Sequence, residues 1–266
     1  MSSWTPDRQT PVVFARLSGD YNPVHMDEEH ARSAGFPTVI IHGMCVVGAS
    51  ARAAHLAAPG GSVTREIDVR FAKPVLPDQQ VSFETAVREK GERLRVTLTA
   101  TLPDATRIMS PAAFTFGPAE GVQDVPAKVV LDRSPEDVLG DPYRFTSEQL
   151  DDYRRITAPT ETVDDEGIPP MACLLGMTGA LEKAFRGVEP AQPGTWVHLR
   201  QQGVFYRPIE AETDYICRIQ GGLTIVRNSK VGAHVTIPFV VETADGDDLV
   251  STGACVLLYS FDKEAQ

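Results

Sequence analysis

Two stretches of this chain are variants of one another, and that repetition constrains the fold more than any other feature. Residues 40–48 read IIHGMCVVG and residues 168–176 read IPPMACLLG; at an offset of 128, Ile40 falls on Ile168, Cys45 on Cys173 and Gly48 on Gly176. Both continue as small-residue helices, ASARAAHLAA and MTGALEKAF. Further on, DVRFAKPV (68–75) matches QGVFYRPI (202–209), with Phe71 on Phe205 and Pro74 on Pro208. The offset there is 134, so the second copy carries six extra residues between helix and strand.

After the helix, each copy runs on as β-like segments. In the first, Val63, Ile67, Val69 and Phe71 share one face, followed by Val81, Phe83, Thr85 and Val87, then Leu94, Val96, Leu98 and Ala100, then RIMSPAAFTF. This is period-2 alternation with short turns, which predicts antiparallel strands. The second copy offers DYICRIQ, LTIVRNSK, GAHVTIPFVVET and LVSTGACVLLYSF. Each unit is therefore an α+β layout: a short lead-in, one mostly apolar helix, then four or five strands. A helix apolar nearly all round must be buried on most sides. A strongly curved antiparallel sheet wrapped round it satisfies that demand. The expected organisation is an N-terminal unit over residues 1–117, a Pro-, Gly- and Asp-rich linker over 118–145, and a C-terminal unit over 146–266. The two units form an internal pseudo-dimer, with their sheets joined edge to edge.

The charge balance restricts the partners. Net charge is −11 with no Lys/Arg-rich run, so nucleic acid and anionic membrane are disfavoured, since both need a basic face. No stretch approaches the roughly 20 apolar residues of a membrane span, and MSSWTPDRQT is not a signal peptide. Cys45, Cys173, Cys217 and Cys255 are widely spaced within apolar runs. They read as buried free thiols of a cytoplasmic protein, with no metal-binding spacing.

The copies differ where chemistry would sit. FARLSG (14–19) matches YRRITA (153–158), but 22 positions separate Asp20 from His42 and only 11 separate Pro159 from Pro170. What the second copy lacks is the loop DYNPVH and the helix after it. A loop needed only for folding should be needed twice, although a duplicated unit can also shed a structural loop. Gly19 permits a tight turn, and Pro23 fixes its own φ and restricts Asn22. Asp27 is placed to cap the next helix, with Gly35 as its stop. A carboxylate (Asp20) and an imidazole (His25) on one rigid loop can share a water or a substrate proton, as general acid–base catalysis requires. The competing reading is that Asp20 and Asn22 cap turns and His25 packs against the helix.

Gly43 begins the apolar helix, where free N–H groups and the helix dipole suit a carbonyl oxygen gaining charge. In the second copy His42 and Gly43 become Pro170 and Met171. His42 itself reads as support for the turn. His30, His55, His198 and His234 have no partner pattern and read as surface or core residues.

The segments SGDYNPVHMD, ARSAGF and IIHGM together resemble the signature of the MaoC-like (R)-specific enoyl-CoA hydratases, the hydratase 2 family. The match is close over residues 14–48 and looser through VRFAKPVLP. The resemblance implies a double hot-dog fold and reversible syn hydration of a trans-2-enoyl thioester to a (3R)-hydroxyacyl thioester. It implies that Asp20 and His25 bind the catalytic water, that Asp20 takes its proton and that His25 helps deliver one to the α-carbon. Gly43 N–H would hold the thioester oxygen, with Asn22 ordering the loop. It requires no metal or redox cofactor. In the better-known double members the motif lies in the C-terminal half, and their usual P-G-D is here Leu76-Pro77-Asp78.

Three alternatives stand beside this reading: dehydration of a 3-hydroxyacyl group on an acyl carrier protein or polyketide intermediate, a non-catalytic acyl-thioester-binding subunit, and a thioesterase. The last would typically use a carboxylate on the central helix, and HGMCVVGASARAAHLAA has none. The expected partner is an acyl-CoA or carrier-bound thioester, with Arg70 and Lys73 as substrate-binding candidates and Arg65 and Arg207 as further cations for the tunnel mouth. A homodimer of double hot-dogs is compatible with the sequence but not read from it.

Overall fold

A computed structural model describes residues 2–91, 93–118, 134–158, 170–186, 194–221, 224–229, 232–246 and 248–261. Pro159 and residues 119–133 of the expected linker lie outside the described residues, as does the side chain of Cys173. The first half runs β1 (Ser2–Trp4), α1 (Thr10–Ser18), α2 (Pro23–Met26), α3 (Glu28–Ser33), α4 (Gly43–His55), β2 (Ser62–Arg70), β3 (Val81–Lys90), β4 (Arg93–Thr101) and β5 (Ala112–Pro118). The second runs β6 (Val138–Leu139), α5 (Ser147–Thr157), a 3-10 turn (Pro170–Gly176), α6 (Met177–Phe185), β7 (Gly194–Phe205), β8 (Tyr215–Ile219), β9 (Thr224–Ser229), β10 (Gly232–Thr243) and β11 (Leu249–Phe261).

The strands form one 11-stranded sheet in the order β1-β3-β4-β5-β2-β7-β11-β10-β8-β6, with β9 also pairing β10. Every named strand pair is antiparallel. The seam between the halves is the β2–β7 pair, in which Asp68 lies opposite Gln202. These two residues are also counterparts at the offset of 134. A residue paired with its own repeat lies on a pseudo-two-fold axis, so the sequence repeat and the register locate the same axis. Arg200 forks onto Asp68 across this seam at 2.8 and 2.6 Å.

The helix α4 lies in the concavity of this sheet. Ten consecutive residues, Cys45 to Ala54, are buried, among them Val46, Val47 and four alanines. Small side chains let the sheet close round the helix, and each buried valine contributes on the order of 1.5–3 kcal/mol. The central helix of the second half is broken. Its sequence PMACLLG forms the 3-10 turn and only MTGALEKAF continues as α6. Apolar side chains from both halves join in one continuous core. The side chains of Cys45, Cys217 and Cys255 are buried within it.

The segment read as a linker supplies part of the second sheet. Val138 and Leu139 pair with β8, and Tyr143 bridges to Tyr215. The turn at Pro77 closes with Gln79 N–H on the Leu76 carbonyl, and Asp78 takes φ +65°. Aspartate is one of the few residues that tolerates this left-handed conformation, which explains how the turn forms without glycine.

The halves are also locked by helices. The Trp4 indole donates to the Ile156 carbonyl on α5 at 2.9 Å. Where α5 crosses α4, a Cβ on Gly48 would lie 2.5 Å from Tyr153 Oη and 2.8 Å from Thr157 Cγ2. Both neighbours are fully buried and cannot swing aside. Gly48→Ala is therefore expected to destabilise the protein by about 1–3 kcal/mol, read as a lower urea midpoint; an unchanged midpoint would contradict this packing.

Candidate active site

The lead-in helix α1 ends on Gly19, at φ +72°, whose N–H donates to the Ala15 carbonyl at 2.8 Å. Only glycine adopts this left-handed cap without strain. The chain reverses there and presents Asp20. One turn of helix follows: the Asn22 side chain accepts from Val24 N–H at 3.3 Å, and Pro23 supplies a fixed φ for the first helical position. That turn, α2, carries His25. Asp27 then caps α3 by accepting from His30 N–H, as its position after the loop predicts. The Asn22 amide also reaches the Trp196 carbonyl of β7 at 3.5 Å, tying the loop to the second half.

The loop brings Asp20 and His25 together with His42, their side-chain donor and acceptor atoms all within 4.8 Å of one another. His25 Nδ1 lies 2.8 Å from the Ile40 carbonyl. A carbonyl can only accept, so Nδ1 carries the proton and Nε2 keeps a lone pair. His42 Nε2 donates to the Asp20 backbone carbonyl at 2.9 Å by the same logic. The two imidazoles stack with centroids 3.8 Å apart and planes inclined by 25°. Stacked rings direct their in-plane lone pairs side by side rather than toward one point, which is a poor arrangement for a shared metal ion.

Gly43 opens α4 with His42 as its N-cap, so its N–H belongs to the first turn and has no intrahelical acceptor. Its lack of a side chain has a visible reason: a Cβ there would stand 3.1 Å from the Phe71 ring.

Asp20, His25 and Gly43 open onto a cavity of about 640 Å³ that runs between the halves. Phe36, Phe71 and Lys73 line it from the first half, and Leu174, Phe185 and Trp196 from the second. The broken second helix gives this cavity much of its apolar wall. A second groove of about 540 Å³, near Gly61 and Gly117 at the other end of α4, brings no histidine to its lining.

Lys73 lines the cavity, whereas Arg70 is exposed at the end of β2 and is not among its lining residues. Arg65 turns inward, to the Pro118 and Tyr206 carbonyls, and Arg207 pairs with Asp248 at 2.5 Å; neither lines the cavity. Two histidines read as surface or core, His30 and His198, also line it. His198 comes from the second half, two positions after Trp196 on β7, and no local sequence pattern marks it, since Val197 and Leu199 between and beside them line the cavity too.

Burial governs the charge state of these imidazoles. It lowers His25 from 6.5, against the opposing pull of Asp20 and the Ile40 carbonyl. Burial, reinforced by His25, pushes His42 down to about 3. Burial likewise pushes His198 down to about 4, against the Arg200 carbonyl and Asp20. All three are neutral at pH 7. In the unfolded chain they take up protons near 6.5, while the folded state resists. For His42 and His198 the stability is therefore complete above about pH 6.5 and is lost as pH falls toward about 3 and about 4 respectively, by about 1.4 kcal/mol per unit each, and His25 acts in the same direction. Urea unfolding between about pH 7 and 5 should show this slope, shallower in His198→Asn; the same slope in that variant would contradict the assignment.

The MaoC like domain family matches residues 3–106. Among curated proteins, the peroxisomal multifunctional enzyme type 2 of Mus musculus is 40% identical over 94 residues, 30% of this chain and 13% of that protein. The 3-hydroxyacyl-thioester dehydratase Y of Mycobacterium tuberculosis is 43% identical over 81 residues, 29% of this chain and 28% of that protein. This chain thus spans less than a third of either relative. A solved Mycobacterium tuberculosis protein, described as having a double hotdog fold, superposes with a TM-score of 0.71 at 12% identity, covering 97% of this chain and 94% of that one. The fold is a double hot-dog.

Proposed function

We propose that this chain, whose residues 3–106 carry a MaoC-like domain, adds water reversibly across the double bond of a trans-2-enoyl thioester. The observation that carries the reading is the convergence of the Asp20 carboxylate and the His25 imidazole beside the Gly43 helix start, at the wall of a largely apolar cavity. A water held between them donates one hydrogen bond to Asp20 and the other to the bare Nε2 of His25. As its oxygen attacks C3, Asp20 takes one proton and passes it to C2 on the same face, while Nε2 of His25 holds the O–H that remains on C3. The net change is H and OH added across one bond, with no redox step. Charge develops on the thioester oxygen, and the Gly43 N–H at the positive end of α4 is placed to stabilise it. Attack from one side of a fixed plane accounts for a single product hand, taken as (3R).

Run backwards, the same groups remove water from a 3-hydroxyacyl thioester, since microscopic reversibility gives both directions one transition state. An acyl-CoA is the carrier proposed. Lys73, exposed at the cavity wall, is the cation placed to meet a phosphorylated carrier. The test is to incubate the protein with trans-2-enoyl-CoAs of increasing length and branching and to resolve the product on a chiral column. A (3R)-3-hydroxyacyl-CoA supports the proposal. A (3S) product would overturn the facial assignment. No product from CoA or carrier-protein thioesters would favour a binding subunit instead, and free CoA release would indicate thioester hydrolysis.

A further inference from the structure

One side chain touches every part of this machinery without having an assigned part in the reaction. His42 is 1% exposed. Its Nε2–H holds the Asp20 backbone carbonyl at 2.9 Å, which fixes the turn from which the Asp20 carboxylate projects. Its ring lies against His25 at 3.8 Å, while Phe14 supports it at 4.7 Å. Its backbone carbonyl accepts from Cys45 and Val46 N–H at 3.0 and 3.2 Å, so the same residue starts the helix that presents Gly43. The second copy places Pro170 at this position, which offers neither ring stack nor donor.

We propose that His42 is the positioning residue of the site, a single clamp that sets the Asp20 carboxylate, the His25 ring and the Gly43 N–H relative to one another. It acts through these groups and takes no proton itself. The Asp20 carbonyl it faces keeps the proton on Nε2, and burial holds the ring neutral, so no positive charge is brought against His25. A stacked neutral ring also restricts His25 to rotation in its own plane, and the Ile40 carbonyl then blocks that rotation. Two constraints at right angles leave Nε2 one direction. Displacement of a catalytic group by about 1 Å can cost about 10²-fold in rate, so the clamp matters for turnover even though binding hardly depends on it.

The inference rests on the hydration reading, and two variants separate its two arms. His42→Gln keeps a donor at the reach of Nε2 and removes the stacked ring. His42→Phe keeps a ring and removes the donor. Each is expected to lower kcat about 10- to 100-fold with KM changed less than about threefold. A second readout needs no turnover: the His25 Nδ1–H proton in the imidazole NMR spectrum. It should persist in the wild type and in His42→Phe, and broaden into exchange in His42→Gln as the ring loses its cover. Wild-type kcat in either folded variant would overturn the clamp, as would a change confined to KM. An unchanged His25 signal in His42→Gln would overturn the stacking arm. If His42→Phe does not fold, His42→Gln still decides. If the wild type hydrates nothing, the NMR arm still tests the clamp while the functional reading alone falls.

Discussion

Replacing Asp20 by Asn is expected to lower kcat on a trans-2-enoyl-CoA by about 10²–10⁴-fold while leaving the fold intact. The carboxylate is the only strong base the loop presents to the cavity beside the bare Nε2 of His25. An amide of the same shape can still accept from Asn22 N–H, a bond of 3.2 Å in the native loop, and the His42 tie runs to the backbone and survives. Geometry is thus kept and basicity removed. KM should move little, because the hydrogen bond to the thioester oxygen and the apolar wall are untouched. The measurement is kcat and KM from loss of the conjugated-thioester absorbance, with thermal unfolding beside it. A folded variant retaining more than about a tenth of wild-type kcat would show that the proton goes elsewhere.

The second large effect lies far from the chemistry. Arg218 on β8 is 1% exposed and reaches Asp137 at 2.6 Å and Glu242 at 3.3 Å. Asp137 also accepts from Gly221 N–H at 2.8 Å. The cluster pins the segment leading into β6 against the second sheet. Removing the cation takes the counter-charge away from two buried carboxylates, which typically costs about 3–5 kcal/mol. Arg218→Ala should therefore lose about that much stability in urea unfolding, or fail to accumulate as folded protein. Combining Arg218→Met with Asp137→Asn and Glu242→Gln should recover a good part of it, because the cluster then buries no formal charge. A loss below about 1 kcal/mol in Arg218→Ala would contradict the assigned role.

Much of this was legible in the sequence because it is local or repeated. The repeat at 68–75 and 202–209 implied paired units, and the register at Asp68 and Gln202 realises that pairing directly. Asp20, Asn22, Pro23 and His25 stand within six residues, so one turn and one short helix suffice to bring them together. The remainder depends on contacts distant in sequence. His198 and Trp196 reach the cavity only because β7 joins β2 edge to edge. Arg218 meets its carboxylates across 81 and 24 positions. The stacking of His42 on His25 joins a loop to a helix start 17 positions later, and no period marks it. The break in the second central helix was also hidden, since PMACLLG is as apolar as its helical counterpart.

The central claim is that Asp20 and His25 act as one unit on one water. The most direct test follows loss of enoyl-thioester absorbance for the wild type, Asp20→Asn, His25→Gln and the double variant, on the longest enoyl-CoA that the wild type turns over. If they share a single water and proton path, each single variant loses nearly all of the rate enhancement and the double is scarcely slower than the worse single. If the losses multiply instead, the two groups act on separate steps, and the account of a shared water is wrong.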